Sequence, residues 1–207
     1  MNDLNTTGSI VLISGPSGAG KSSLVGELEK NINNIYFSVS VTTRKMRKGE
    51  IEGVDYHFVS KDEFEKDIAN GMFLEWAEVH GNYYGTSIKY TTDALKAGKQ
   101  VLFDIDVQGH EQIKKKLKDI TTSVFITTPT LKDLQTRLLK RGTDSSEQIK
   151  KRIQNAKNEL SYMKEYDYFI VNDDFEIAKR QLFCIVEVAK IKTLSINIDK
   201  FIKIWSS

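Results

Sequence analysis

The sequence has no long hydrophobic run, and its first residues do not predict an export signal. No apolar stretch approaches the roughly 18 residues that a membrane-spanning helix needs. Residues 1–5 have neither the basic start nor the apolar segment of a secretory signal. We therefore expect a cytoplasmic protein without a membrane partner.

An excess of charge and a pair of cysteines are also missing. Thirty basic residues nearly balance 28 acidic ones, so no overall field favours nucleic acid. The single cysteine, Cys184, cannot form an intrachain disulfide, and its apolar helical surroundings predict a buried structural thiol. Repeats and low-complexity segments are absent, and 207 residues suffice for one sizeable core. We expect a single domain over residues 1–207.

The most informative stretch is residues 15–22, which match the Walker A pattern G-x-x-x-x-G-K-[ST]. An apolar run at 10–13 precedes it and a segment with helical apolar spacing follows, as the pattern requires. A chance match in a glycine-rich turn does not explain this flanking strand and helix. Glycines permit close approach of the backbone to a ligand, and a helix N-terminus favours an anion. We predict that an NTP binds here, with Lys21 at its β and γ phosphates and Ser22 at Mg²⁺.

Apolar strands alternate with helical patterns over most of the chain. Strands are predicted at 10–13, 100–103, 123–126 and 168–171, and helices at 91–97, 108–118, 131–140, 146–164 and 176–191. Continuous apolar strands between helices predict a parallel sheet covered on both faces. The expected fold class is α/β, with a P-loop NTPase-type three-layer core.

A smaller unit interrupts this alternation. Short strands are predicted at 37–41, 54–59 and 73–79. A helix is predicted at 61–68, with Ser60 as the residue through which the chain enters it. This pattern predicts an inserted small mixed sheet. The core is expected at about 9–37, 89–130 and 165–192, the lobe at about 38–88 and a helical lid at about 131–164 with a hinge at 141–144. The tail at 193–207 is left unassigned.

Charged side chains near these segments suggest chemistry. Asp104 and Asp106 follow a predicted strand, where a carboxylate can lie near Mg²⁺, although strand-end aspartates are also common in turns. Arg44 and Arg47 lie in a basic loop that is either a solvated turn or a site for a second phosphate. Three further arginines flank the hinge and could neutralise charge on a transferring phosphoryl group: Arg137, Arg141 and Arg152.

Six ordered segments resemble the guanylate kinase family: residues 15–23, 38–44, 53–60, 81–86, 104–109 and 170–174. The resemblance runs from about residue 9 to 190. It implies transfer of the γ-phosphoryl group of ATP to GMP with Mg²⁺, in purine nucleotide metabolism. It also implies a parallel-sheet core, an inserted GMP-binding lobe and a mobile lid.

The resemblance implies roles for particular residues. The ATP-binding set is Gly15, Pro16, Ser17, Gly18, Ala19, Gly20, Lys21, Ser22, Ser23 and, on the adenine side, Asn172. The GMP phosphate is held by Arg44, Arg47, Tyr56 and Tyr84. The guanine is read by Ser40, Glu75 and Thr86, and Asp106 lies near the nucleoside. Ser22 and Asp104 serve the metal, and the catalytic cations are Lys21, Arg44, Arg137, Arg141 and Arg152.

The chemistry is consistent with these roles. Guanine presents two adjacent donors that one carboxylate, Glu75, can accept, whereas adenine presents an acceptor at N1. Mismatched buried polar groups discriminate strongly. The attacking phosphate oxygen is already anionic, so no general base is needed, and the histidines are expected to be bystanders: His57, His80 and His110.

The sequence departs from the family pattern at two places. Met46 replaces the usual proline between Arg44 and Arg47, which predicts a less rigid loop, and residues 86–87 read Thr-Ser where some members have Ser-Thr.

Two alternative functions are weighed against this one. A non-catalytic module that binds phosphorylated peptides is one alternative, but the Walker residues are intact. A P-loop kinase for another small acceptor is the second, but Glu75 favours guanine.

Overall fold

The computed structural model describes residues 8–79, 81–142 and 145–207. Residues 1–7, His80 and the predicted hinge positions 143–144 lie outside the described residues. The strands are β1 (Ser9–Ser14), β2 (Ile35–Phe37), β3 (Val41–Thr42), β4 (His57–Phe58), β5 (Phe73–Val79), β6 (Asn82–Ser87), β7 (Gln100–Asp104), β8 (Thr121–Thr127) and β9 (Tyr168–Val171). The α-helices are α1 (Lys21–Asn31), α2 (Lys61–Ala69), α3 (Ile88–Lys96), α4 (Val107–Leu117), α5 (Leu131–Arg141), α6 (Ser146–Leu160), α7 (Phe175–Lys190) and α8 (Ile198–Trp205).

The core sheet is parallel, with the order β2-β7-β1-β8-β9 within the described residues. Every residue of β1 is buried, which explains its continuous apolar sequence. Leu28 of α1 and Leu182 of α7 pack on one face of the sheet. Ala94 of α3 and Ile113 of α4 pack on the other. The predicted α/β class and three-layer core are confirmed.

A second, mixed sheet has the order β4-β3-β6-β5 in the described part of the chain. The helix α2 beside it begins where the sequence predicts. Its Ser60 hydroxyl accepts the Glu63 backbone N–H, while the Glu63 carboxylate accepts the N–H of Ser60. This capping box explains why the boundary is readable from the sequence.

The strand predicted at 37–41 is wrong, because it is divided between the sheets. Phe37 pairs with Leu102 in the core, whereas Val41 pairs with His57 and Gly85 in the second sheet. The alternation of apolar and polar residues is therefore real, but it spans the crossing from one sheet to the other. Such a crossing depends on distant partners and leaves no local signal.

Three other boundaries differ from prediction. The strand predicted at 54–59 is reduced to β4, because Asp55 accepts the Ile51 backbone N–H and closes a turn. The helix α6 ends at Leu160 instead of 164, where the Ser161 hydroxyl donates to the Asn158 carbonyl oxygen and competes with the helical hydrogen bonds. The helix predicted at 91–97 begins earlier, as α3.

Cys184 is exposed, so the predicted buried thiol is wrong. Helix α7 buries Ala178, Leu182, Ile185, Val186 and Ala189, and Cys184 lies on its other side. An apolar neighbourhood in sequence did not distinguish these faces. The tail contains a 3₁₀ turn (Thr193–Ser195) and α8. The described residues contain no helix that is long and apolar enough to cross a membrane.

Strand β5 joins the second sheet to the core. Its register with β6 shifts between Phe73 and Glu75, and the intervening Leu74 is buried among core side chains such as Leu12 and Phe103. Lys116 of α4 donates to the carbonyl oxygens of Phe73 at 3.2 Å and Leu74 at 2.6 Å. The irregularity thus inserts one lobe residue into the core and places Glu75 next to α4.

We expect Leu74→Ala to lower the free energy of unfolding by about 2–5 kcal/mol, because it removes buried contacts that attach β5 to the core. Urea denaturation measures the change. Leu139→Ala is the matched control, since Leu139 is 57% exposed on α5, and it should change stability by less than about 0.5 kcal/mol. Equal effects of both substitutions would contradict the assigned anchoring role.

Candidate active site

The Walker loop lies between β1 and α1, at the carboxyl edge of the core sheet. Gly15 and Gly20 have φ values of 143° and 92°, which disfavour side chains. A Cβ at Gly15 would overlap the Ile126 carbonyl oxygen of β8, and one at Gly20 would overlap the Asn172 amide. The first N–H groups of α1 have no partner within the helix, so the loop can receive an anion.

Lys21 is positioned inside this loop. Its Nζ donates to the Gly15 carbonyl oxygen at 2.6 Å and lies 4.0 Å from Asp104 Oδ1. Burial raises the pKa of Asp104, and the Lys21 ammonium acts in the opposite direction. The parallel register of β1 and β7 aligns Ile13 with Asp104, which explains why the carboxylate lies beside the loop. Ser22 and Ser23 are exposed in the first turn of α1.

Asn172 and Arg137 complete one side of the loop. Asn172 is 3% exposed, and its Nδ2 donates to the Ala19 carbonyl oxygen at 2.8 Å. Arg137 of α5 donates from Nη2 to the Asn172 carbonyl oxygen at 2.7 Å. The Asn172 side chain therefore supports the loop directly, a role that the sequence did not indicate.

The other predicted lid arginines differ in position. Arg152 of α6 donates from Nη1 to the Ser17 hydroxyl of the loop at 2.5 Å. Arg141 is exposed at the end of α5, and its side chain forms no hydrogen bond or ion pair with the described residues. The structure thus brings Arg137 and Arg152 to the loop but leaves Arg141 apart from them.

A second cluster of side chains lies beside the small sheet, around Arg44. Arg44 donates from both Nη atoms to Glu50, at 2.6 and 3.0 Å, and its guanidinium carbon lies 5.2 Å from the Tyr56 ring centroid. The Tyr56 and Tyr84 ring centroids are 6.0 Å apart. Hydrogen bonding with Glu50 raises the pKa of Arg44, and the same contact lowers the pKa of Glu50.

Glu50 is a residue that the sequence reasoning missed. It also accepts the Arg47 backbone N–H at 2.7 Å, so one carboxylate contacts both Arg44 and Arg47. The Arg47 side chain is exposed, and within the described residues it forms no hydrogen bond or ion pair with the Arg44 cluster. A lone acidic residue that follows four cations was the available signal for Glu50.

A cavity of about 200 Å³ adjoins this cluster. It is lined by Glu75, Ala77, Tyr84, Ile105, Asp106, Gln108, Gly109 and Gln112. The Thr86 hydroxyl, which is buried, donates to Glu75 Oε1 at 2.6 Å. Burial raises the pKa of Glu75, the Thr86 hydrogen bond partly opposes this, and the Asp106 charge adds to it.

Asp106 and Ser40 have different relations to this cavity. Asp106 caps α4 by accepting the N–H groups of Gln108 and Gly109 at Oδ1, and the residue remains exposed. Ser40 does not line the cavity, but its carbonyl oxygen accepts the His57 N–H in the same sheet. Gln108 and Gln112 were not predicted as site residues, although helical spacing places them on one face of α4.

The fold and the site define a P-loop phosphotransferase with a further cavity beside the Arg44 cluster. A family profile described as guanylate kinase matches residues 7–189. A guanylate kinase from Sulfurimonas denitrificans is 53% identical over 96% of this chain and 97% of its own length. One from Wolinella succinogenes is 51% identical, over 97% and 93% respectively.

A solved structure gives the same result. The crystal structure of guanylate kinase from Anaplasma phagocytophilum superposes with a TM-score of 0.73 at 34% identity, covering 94% of this chain and 92% of that one. The chain belongs to the guanylate kinase family. The family resemblance seen in the sequence is confirmed.

We expect Asn172→Ala to destabilise the protein by about 1–3 kcal/mol, because it leaves the Ala19 carbonyl oxygen without its amide donor. Thermal or urea unfolding provides the measurement. Asn158→Ala, at an exposed position of α6, is the control and should be neutral within about 0.5 kcal/mol. A neutral Asn172→Ala would show that the amide does not support the loop.

Proposed function

We propose that the enzyme transfers the γ-phosphoryl group of ATP to GMP, giving ADP and GDP. One observation carries this proposal: Asp104 faces the phosphate-binding loop, and Asp106 lines the Glu75 cavity. The two residues are two positions apart in the chain, so their Cα atoms lie at most about 7 Å from each other. An NTP on the loop and a nucleotide in the cavity would therefore be close neighbours.

On the ATP side, the loop amides and Lys21 bind the β and γ phosphates. Asn172 supports the loop on the adenine side, and Arg137 lies beside the loop near Gly20. The partner of Arg137 is a neutral carbonyl oxygen, so its charge remains available to the γ-phosphoryl group. Arg152 acts from the other side of the loop through its position at Ser17. Arg141 joins them only if the lid moves.

Ser22 and Asp104 are the proposed ligands of Mg²⁺. Hydroxyl and carboxylate oxygens suit this ion, which binds through one or two protein groups together with phosphates and water. When bound, the ion neutralises phosphate charge.

On the GMP side, Arg44, Tyr56 and Tyr84 form the phosphate clamp. Arg44 uses three of its N–H groups, two for the Glu50 carboxylate and one for the Lys45 carbonyl oxygen. A guanidinium has five N–H groups, so it can bind phosphate while Glu50 holds its orientation. We propose Arg47 as a further phosphate contact, which requires its exposed side chain to turn inward.

The guanine is read by Glu75, which accepts N1–H and the exocyclic amine. The Thr86 hydroxyl donates to Glu75 in the structure, and it is proposed to turn to guanine O6 when the base takes over the carboxylate. Ser40 is proposed as a second hydroxyl at O6. An adenine would place its N1 lone pair against the carboxylate, an unfavourable pairing of two acceptors.

The reaction needs no covalent enzyme intermediate. An anionic GMP phosphate oxygen forms a bond to the γ-phosphorus as the bond from that phosphorus to the β,γ-bridging oxygen breaks, and ADP leaves. The protein supplies alignment and positive charge, from Lys21, Arg44, Arg137 and Arg152. His110 is buried with a pKa lowered to about 4 by burial, so it does not supply a charge at neutral pH.

The first test measures ADP release from ATP and Mg²⁺ with GMP, AMP, CMP, UMP or no acceptor. We expect turnover with GMP alone. Turnover with another acceptor would refute the guanine assignment, and no turnover at all would favour a phosphopeptide-binding module.

Lys21→Ala should lower kcat by about 10²–10³ without unfolding the protein, because a charge at the phosphates is lost. Lys30→Ala, at an exposed position at the end of the same helix, is the control.

We expect Glu75→Gln to raise KM for GMP by roughly tenfold or more and to reduce the preference for GMP over AMP, because one acceptor becomes a donor. The raised pKa of Glu75 means that it protonates at a higher pH than an ordinary glutamate. KM for GMP should therefore rise as the pH falls through that range. The GMP phosphate also titrates and contributes to the pH dependence of KM. Glu75→Gln retains only this contribution, so its pH profile is the reference for that of the unsubstituted enzyme.

Glu78→Gln is the matched control for this experiment. Glu78 is exposed on the same strand, three residues from Glu75 and on the opposite face. It should leave KM for GMP, KM for ATP and their pH dependence unchanged. A GMP/AMP preference that Glu75→Gln leaves intact would refute the base-reading role.

A further inference from the structure

Helix α7 has a second apolar row that the fold does not use. Its inner face packs on the core sheet and α1, which is what an amphipathic helix requires. The outer face also carries exposed residues in a row, continued by the capping residue after the helix. This α7 outer row is Ile177, Gln181, Cys184, Val188 and Ile191.

The spacing of the α7 outer row is regular. The intervals are four, three, four and three residues, which is the a/d repeat of a coiled coil. Ile177 and Val188 are each 47% exposed, and Ile191 is 71% exposed. The row is about 21 Å long at the helical rise. Isolated exposed apolar residues are ordinary, but a heptad row along one helix is the signature of helix–helix packing.

We propose that α7 pairs in an antiparallel orientation with α7 of a second copy of this chain, about a two-fold axis at Cys184. The α7 outer row is centred there, since Ile177 and Ile191 each lie seven residues away. A two-fold axis brings the same surface of both copies together. Ile177 then meets Ile191 of the second copy, and Cys184 meets its own counterpart.

The charges beside the row favour this orientation. Arg180 and Glu187 are seven residues apart, so they lie on the same flank of the α7 outer row, and both are exposed. A two-fold axis at Cys184 brings residue 180 level with residue 188 of the second copy, so Arg180 lies within one residue of Glu187 of that copy, twice by symmetry. Glu187 contacts Lys190 at 2.6 Å within its own helix, an exposed pair that contributes little.

A parallel pair would not be complementary in this way. It would place the charged flank of one helix against the other flank of its partner. That other flank contains Ile185, which is 8% exposed and packs on the body of its own chain.

The first test is sedimentation velocity over a range of protein concentrations. We expect a reversible dimer of the full chain. Val188→Glu should raise its dissociation constant roughly 30-fold or more, because it buries a carboxylate without a partner. Leu139→Glu is the control, since it changes a similarly exposed apolar residue on another helix, and it should have no effect.

The second test establishes the orientation by thiol cross-linking with a short bis-maleimide. The wild-type protein should cross-link through Cys184, and Cys184→Ser should abolish this. In the Cys184→Ser background, a mixture of Ile177→Cys and Ile191→Cys chains should cross-link, whereas either alone should not. Leu139→Cys in the same background measures random collisions.

Three results would overturn the proposal. One is a monomer at every concentration. Another is a dimer that survives Val188→Glu but dissociates with Phe201→Glu, which would place the interface on α8, where Phe201 is exposed. The third is efficient cross-linking of Ile177→Cys chains alone, which would show parallel pairing.

Discussion

The parallel pairing of β1 with β7 is the constraint on which the site depends. It aligns Ile13 with Asp104, and the Ile105 N–H donates to the Ile13 carbonyl oxygen at 3.1 Å. Because parallel strands end at the same edge, the Walker loop after β1 and the carboxylates after β7 meet there. The pairing places Asp104 beside Lys21, and chain continuity then places Asp106 at the second cavity.

The second sheet depends on the core for its orientation. Leu74 is inserted among core side chains, and Lys116 binds the carbonyl oxygens freed by the irregularity in β5. A regular strand would continue the alternation, whereas the shift sets both Leu74 and Glu75 toward the core side. Desolvation of Glu75, and hence its raised pKa, follows from this arrangement. The proposed base selectivity therefore rests on packing at a distance from the base.

Much of the architecture could be predicted from local sequence. The apolar runs of β1, β7 and β8 are buried on both faces, so composition alone identifies them. Helix α2 carries its own capping box. Prediction failed where partners are distant: residues 37–41 divide between two sheets, and Cys184 lies on the exposed side of a helix with apolar residues on both faces.

The sequence by itself determined the phosphate-binding loop and the order of the core elements, because glycine placement and apolar periodicity act locally. The family was indicated by the resemblance of six ordered segments. Only the tertiary structure decided which cations converge. Arg137 and Arg152 reach the loop, Arg44 is held by Glu50, and Arg47 and Arg141 remain exposed. Their residue types are identical, so position in the fold, through the oxygen atoms within reach of each guanidinium, makes the difference.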